Sequence, residues 1–264
     1  MTFIQSILLG ALQGFTEFLP VSSSGHLAVV ESFMKLQEVP VLFDILLHLA
    51  TLLVVIIVFR LRLLGIIISL FKRKDFNNED KANRKLFLMI LVSTFFTGII
   101  GLGLNGLEVE NYMFVIYIFF ILTGFILIGS RFWGGKIDYS SLGIKQGVIT
   151  GISQGLGVLP GISRSGITIS AALLSGMSRE KAGEYSFLIS IPAILGAFIL
   201  EFKDAEGLMD MVDPLIIGSG MLSAFIVGLL SLKILLKLIK NGKLYLFSFY
   251  LIPLGIIGLL FSFL

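Results

Sequence analysis

The sequence contains no cysteine, and its 264 residues include only two histidines, one tryptophan and six prolines. Without cysteine there is no disulfide framework and no thiolate metal site. Charge is scarce too: Asp, Glu, Lys and Arg make up 14% of the chain, against about 25% in a typical soluble domain. Hydrophobic residues make up 56%, so the expected fold class is an all-α polytopic membrane protein. The isoelectric point near 9.1 does not point to nucleic acid, because the basic residues stand in short loops between apolar stretches. No Lys or Arg precedes Lys35, so the basic start of a cleaved signal peptide is missing and the first helix is expected to remain.

Against this oily background one polar stretch stands out. Residues 13–26 bring Gln13, Glu17, three hydroxyls at Ser22, Ser23 and Ser24, and His26 together on either side of Pro20. A helix over residues 3–18 puts Gln13 and Glu17 one turn apart on one face. Pro20 ends it, since the residue before a proline is pushed out of the α region. The Ser-Ser-Ser-Gly run then starts a second helix. Residues 151–168 repeat the pattern: Gln13 aligns with Gln154, Gly10 and Gly14 with Gly151 and Gly155, Ser22 with Ser163, Ser24 with Ser165, and Gly25 with Gly166. Ser23 stands opposite Arg164. One copy brings the carboxylate and imidazole, the other the cation.

Each motif arm holds about 15 residues, too few for a full crossing of about 20, so each pair reads as a re-entrant helix–break–helix hairpin buried in protein. The first repeat, residues 1–130, is expected to hold the hairpin 2–36 and spans at Leu42–Phe59, Leu86–Leu104 and Met113–Ser130. Leu63–Phe71 is expected at the interface. Residues 131–145 form a cytoplasmic connector in which Trp133 anchors. The second repeat, 146–264, holds the hairpin 146–177 and spans at Tyr185–Leu200, Pro214–Leu232 and Leu244–Leu264. With the first hairpin opening outward, all Lys and Arg except Lys35, Arg164 and Lys203 fall on the cytoplasmic side, and the acidic turns around Glu108 and Glu201–Asp213 fall outside. Three spans between the hairpins make the repeats inverted, with both termini extracytoplasmic.

The two helix starts would aim backbone N–H groups and positive dipole ends at one point. Hydroxyls and the Arg164 fork, which matches phosphate oxygens, make that point an anion site. Glu17 adds a group that takes a proton or a cation, and His26 one that titrates near neutrality. Asp44 and His48, one turn apart on a span, read as a structural pair. The four glycines of the hairpin arms read as packing contacts.

Gln13-x-x-x-Glu17, Pro-Val-Ser-Ser-Ser-Gly-His at 20–26 and Pro-Gly-Ile-Ser-Arg-Ser-Gly at 160–166 resemble the signatures of the undecaprenyl-diphosphate phosphatase, or bacitracin-resistance, family, and the resemblance extends over essentially the whole chain. It implies hydrolysis of the terminal phosphate of undecaprenyl diphosphate, recycling of the lipid carrier for cell-wall glycans, and a divalent cation, Mg²⁺ or Ca²⁺. By motif, Glu17 is the essential carboxylate, Ser23 the nucleophile, His26 its acid/base partner and Arg164 the diphosphate clamp. Gln13, Ser22, Ser24, Ser163, Ser165, Gly166 and Thr168 are further substrate contacts, with Glu17 and Gln13 the candidate metal ligands. Many members carry Glu where Gln13 stands, so this chain has one carboxylate fewer. The expected setting is the bacterial cell membrane, with the active site facing the extracytoplasmic side. The expected partners are the bilayer, a polyprenyl diphosphate and no nucleic acid, with a homodimer as the assembly considered.

Type 2 phosphatidic-acid phosphatases also hydrolyse prenyl diphosphates, but their third motif needs His and Asp where Ser170 and Leu174 stand. The alternative is a lipid-carrier transporter or flippase, alone or combined with the phosphatase, which inverted repeats suit equally well. Phosphate release without a gradient discriminates between the two.

Overall fold

The computed structural model of the protein describes residues 1–34, 41–104, 106–107, 109–202 and 213–262. The polar turn at 35–40, Asn105, Glu108, the acidic stretch 203–212 and residues 263–264 lie outside the described residues. Among those described the regular elements are helices. The first arm, α1 (Phe3–Phe18), opens on a Thr2–Gln5 capping box and gives way to extended backbone at Leu19, before Pro20. Then come α2 (Ser23–Phe33), α3 (Val41–Val58), α4 (Arg60–Phe71), α5 (Asn78–Leu104) and α6 (Met113–Gly129). The second half runs α7 (Ile144–Leu156), α8 (Arg164–Leu174), α9 (Arg179–Phe202), α10 (Pro214–Lys240) and α11 (Ser248–Ser262).

Length and composition identify four helices able to cross a membrane, α5, α9, α10 and the Leu244–Ser262 segment, or five when the bent pair α3–α4 counts as one span. The expected six is therefore carried only in this coarser form. The expected straight span at Leu42–Phe59 stops at Val58, and α4 leaves it at 71° rather than lying as a separate piece from Leu63. The sixth candidate, α6, is an apolar helix of 17 residues, at the short limit for a crossing.

Two helices outrun their expected apolar limits, for local reasons. The start of α5 moves back to Asn78 because Asn77 and Asp80 cap each other: Asp80 N–H donates to Asn77 Oδ1 at 2.7 Å and Asn77 N–H to Asp80 Oδ2 at 3.0 Å. The far end of α10 runs on to Lys240, with Lys237 and Lys240 in its last turn, where cations suit the negative end of the helix dipole.

Packing crosses between the halves. The arm α1 lies against α10, α7 lies against α5, and α6 pairs with α11. Close approach explains the arm glycines. A Cβ on Gly14 would stand 2.4 Å from the Ala224 carbonyl oxygen, and one on Gly151 2.6 Å from that of Ser93. Backbone on backbone leaves no room for a side chain.

Candidate active site

The two hairpin breaks fit into each other. Gly25, at the start of α2, faces the Gly161 nitrogen, 2.8 Å from where a Cβ would sit; Gly166, at the start of α8, faces Pro20 at 3.2 Å. Each helix start thus receives the turn of the other hairpin. Ser22 ties the joint together. Its hydroxyl oxygen accepts from Gly161 N–H at 3.0 Å and caps α2 through Gly25 N–H at 3.4 Å. It does so with φ +71°, a conformation that disfavours a residue bearing a Cβ and that the contact to the other hairpin holds in place. Ser163 caps α8 by accepting from Gly166 N–H at 3.1 Å. Ser165 donates to the Phe18 carbonyl at 3.1 Å, and Thr168 donates to the Arg164 carbonyl at 2.7 Å and meets the Ser186 hydroxyl. These three hydroxyls build the joint.

Glu17 sits at the centre, its side chain 7% exposed. One oxygen, Oε1, pairs with the Arg164 guanidinium from the other hairpin. The other, Oε2, accepts from the Ser23 hydroxyl at 2.6 Å and from Gln13 Nε2 at 3.2 Å, and faces His48 Nε2 at 3.5 Å. A buried carboxylate of this kind persists only when charge and hydrogen bonds compensate it. Here an arginine, a hydroxyl and an amide do so.

A cavity of about 500 Å³ opens on this cluster, lined at its polar end by Glu17, Ser22, Ser23, Ser24, His48 and Arg164. Its remaining wall is largely apolar, with Gly98 and Leu102 of α5 facing Ala193, Ala197 and Phe198 of α9. Both α2 and α8 start at the cavity, so two positive dipole ends and a guanidinium face the same space. The arrangement suits an anionic head carrying an apolar tail.

His26 falls elsewhere. Its Nδ1 donates to the Ser22 carbonyl at 2.7 Å and its Nε2 meets the Tyr250 hydroxyl at 2.8 Å, with the ring stacked on Tyr250. Both ring nitrogens are thus occupied, and the partner of the Ser23 hydroxyl is Glu17, not the expected His26. Through Tyr250, His26 links α2 to α11. His48 is the imidazole that the sequence left out of the site. Its Nδ1 donates to the backbone carbonyl of Asp44 at 2.8 Å, which turns Nε2 toward Glu17. The signal that finds it is a histidine within a membrane helix, costly there unless used.

The cluster does not fit a resident metal ion. Among the described residues no three metal-ligating side chains converge, and both Glu17 oxygens are already met by donors. Gln13 Oε1 is buried without a hydrogen-bond partner, but a lone amide oxygen is no cation cage.

Residues 6–257 match the family model described as Bacitracin resistance protein BacA. The chain belongs to this family. Similar curated proteins carry the name undecaprenyl-diphosphatase. One from Treponema denticola is 52% identical, covering 97% of this chain and 96% of its own length. Another, from Alkaliphilus metalliredigens, is 42% identical over 99% of each. A third, from Borrelia recurrentis, is 40% identical over 94% of this chain and 95% of that protein. Family membership therefore spans the helices that build the cavity as well as the two motifs.

Proposed function

We infer that this chain is a membrane-embedded hydrolase that removes the terminal phosphate of undecaprenyl diphosphate, returning the monophosphate carrier to cell-wall synthesis; the family name adds bacitracin resistance. The observation that carries the site assignment is the Glu17 carboxylate holding the Ser23 hydroxyl with one oxygen and the Arg164 guanidinium with the other, at the mouth of a largely apolar cavity.

That geometry supports the following reaction. The Ser23 oxygen attacks the terminal phosphorus while its proton passes to Glu17 Oε2. The bond from phosphorus to the bridging oxygen breaks, and undecaprenyl phosphate leaves. Arg164 and the starts of α2 and α8 hold the charge on the transferred phosphoryl group. Water then displaces Ser23 from phosphorus. The prenyl chain runs along the apolar wall between α5 and α9. In this reading Mg²⁺ or Ca²⁺ would be held by the diphosphate rather than by the protein, whose described residues offer no cage for it.

The same reading includes two inverted repeats, each a re-entrant hairpin followed by three spans. The reciprocal packing of α1 on α10 and α7 on α5 supports it. The basic loops then lie in the cytoplasm and the active site faces outward. The direct test is inorganic phosphate release from undecaprenyl diphosphate by purified protein in detergent. Turnover there, without a bilayer or gradient, is the expected result. Movement of labelled lipid in vesicles without phosphate release would make the chain a flippase instead.

A further inference from the structure

Close packing explains some helix glycines and not others. A Cβ on Gly10, Gly14 or Gly151 would stand 2.1, 2.4 or 2.6 Å from a carbonyl oxygen of the neighbouring helix. On Gly98 of α5 and Gly196 of α9 it would meet nothing within 4 Å, and on Gly101 only a Val158 methyl at 3.7 Å. Glycine weakens a helix interior, so these three positions give up helix stability with no close approach in return. What they share is the cavity, which all three line.

The two walls match. Thr94, Gly98 and Leu102 stand one turn apart on α5, Pro192, Gly196 and Leu200 one turn apart on α9, and all six line the cavity. Each row has a glycine in its middle and ends in an exposed leucine, on a helix long and apolar enough to cross a membrane. The space between them is a slot that shares its cavity with Glu17 and Arg164 and ends at lipid-facing side chains. Gln154 belongs to the same wall. It lines the cavity, is 1% exposed and donates to Thr97 Oγ1 at 3.1 Å, while its Oε1 has no hydrogen-bond partner among the described residues. Buried polar atoms are normally paired, so this oxygen points to an occupant that brings its own donors, as a hydrated diphosphate does.

We propose that Gly98, Gly101 and Gly196 are specificity-determining residues: they give the slot the width of a methyl-branched polyprenyl chain, which passes out to the bilayer between Leu102 and Leu200. The proposal rests on the diphosphatase reading above and names the part of the substrate that the site reads. A cavity of about 500 Å³ suits a ligand of ordinary drug size, so it holds the diphosphate and the first isoprene units while the rest of the chain lies in lipid. Selection then acts on the units next to the diphosphate and not on total length. Each of these units carries a methyl branch to one side. A side chain projecting from Gly98 or Gly196 would meet that branch. An unbranched alkyl chain leaves the extra width unfilled and forfeits contacts with the walls. The slot therefore favours prenyl over straight-chain diphosphates.

The test is steady-state phosphate release by the full chain in detergent from undecaprenyl, farnesyl and unbranched dodecyl diphosphate, for the parent, Gly98→Ala, Gly196→Ala, Gly98→Leu and Gly218→Leu. The parent should prefer farnesyl to dodecyl diphosphate by kcat/KM. Each alanine should cut that preference about tenfold, the scale of one carbon in an apolar pocket. Gly98→Leu should raise the KM for undecaprenyl diphosphate about tenfold or more with kcat nearly unchanged, since the reacting end is not touched. Gly218 on α10 is equally open but does not line the cavity, so leucine there should change neither constant. Melting temperatures of the alanine variants should equal or exceed the parent's, because alanine suits a helix better, and this separates a narrowed slot from a damaged fold. An unchanged KM in Gly98→Leu overturns the proposal, as does an equal loss on farnesyl and dodecyl diphosphate in the alanine variants. Should Gly98→Leu fail to fold, the alanine variants decide alone. No phosphate from any of the three substrates with the parent chain sinks the diphosphatase reading and the slot with it, whereas parent activity with an unmoved preference sinks only the slot.

Discussion

The Ser23 hydroxyl and the Glu17 carboxylate, on opposite sides of Pro20, meet at 2.6 Å. The break between α1 and α2 folds the chain back so that the proposed nucleophile and its proposed base, six residues apart, become neighbours. Removing either should stop the chemistry. Ser23→Ala deletes the attacking oxygen, and Glu17→Gln keeps the shape but cannot take the proton. Each should lower kcat by about a hundredfold or more, while retention of labelled substrate on the detergent-solubilised protein stays measurable. Substantial turnover by Ser23→Ala would mean that water attacks phosphorus directly.

Arg164 stands on the first turn of α8 and reaches across the joint to Glu17. Its fork addresses two oxygens at once, whereas lysine offers one hydrated point charge. In a site shielded from water this geometry counts for more in the transition state than in the ground state. Arg164→Lys should therefore lower kcat about a hundredfold, the order expected for loss of one preorganised donor, with a smaller rise in KM. A raised KM at unchanged kcat would reduce Arg164 to a docking residue.

Much of this joint is legible in the sequence because its parts are local. Proline ends α1, serines cap α2 and α8, and the internal repeat brings Ser23 and Arg164 to corresponding places. The rest depends on which helix faces meet. The i, i+4 spacing of Asp44 and His48 reads as a side-chain pair, yet Nδ1 takes the Asp44 backbone carbonyl and frees Nε2 for Glu17 on another helix. Likewise Tyr250, which occupies His26, comes from α11, 224 residues along the chain. Nor does hydropathy reveal that α4 leaves α3 at 71°, because Arg60 and Arg62 end the apolar run without showing which way the chain then turns.

The contact between α1 and α10 makes a stability prediction with an internal control. A Cβ on Gly14 meets the Ala224 carbonyl oxygen at 2.4 Å and the Gly228 nitrogen at 2.8 Å, neither of which can rotate away. Gly14→Ala should lose about 1–3 kcal/mol, as overpacking does. Gly218, on α10 as well, has nothing within 4 Å of a Cβ, so Gly218→Ala should be neutral or slightly stabilising through helix propensity. Thermal unfolding in detergent reads both. Equal melting temperatures would contradict the close approach of the two helices.

The absence of cysteine allows the orientation to be tested on a silent background. Leu107 and Lys74 are both exposed, on turns that the charge distribution assigns to opposite sides. Leu107→Cys should react with an impermeant thiol reagent in intact cells, and Lys74→Cys only after the membrane is opened. The reverse pattern would turn the active site toward the cytoplasm.

Gln13 gives the most informative substitution, because it separates a donor from an acceptor at fixed shape. Its amide nitrogen donates to Glu17 Oε2 at 3.2 Å, and its side chain is fully buried. In Gln13→Glu that donor becomes a second carboxylate facing the first. Two such groups at hydrogen-bond distance cannot both stay charged unless a cation comes between them. One carboxylate then takes up a proton, and Glu17 is no longer free to accept from Ser23. In chelator, Gln13→Glu should turn over about tenfold or more slowly than the parent chain, because the base then carries a proton for much of the time. Added Mg²⁺ should close most of that gap, and the variant should need more cation than the parent to reach half its maximal rate. Phosphate release measured across a cation titration decides it. If the two proteins follow the same curve, chelator included, the amide contributes nothing to the state of Glu17, and its hydrogen bond is only packing.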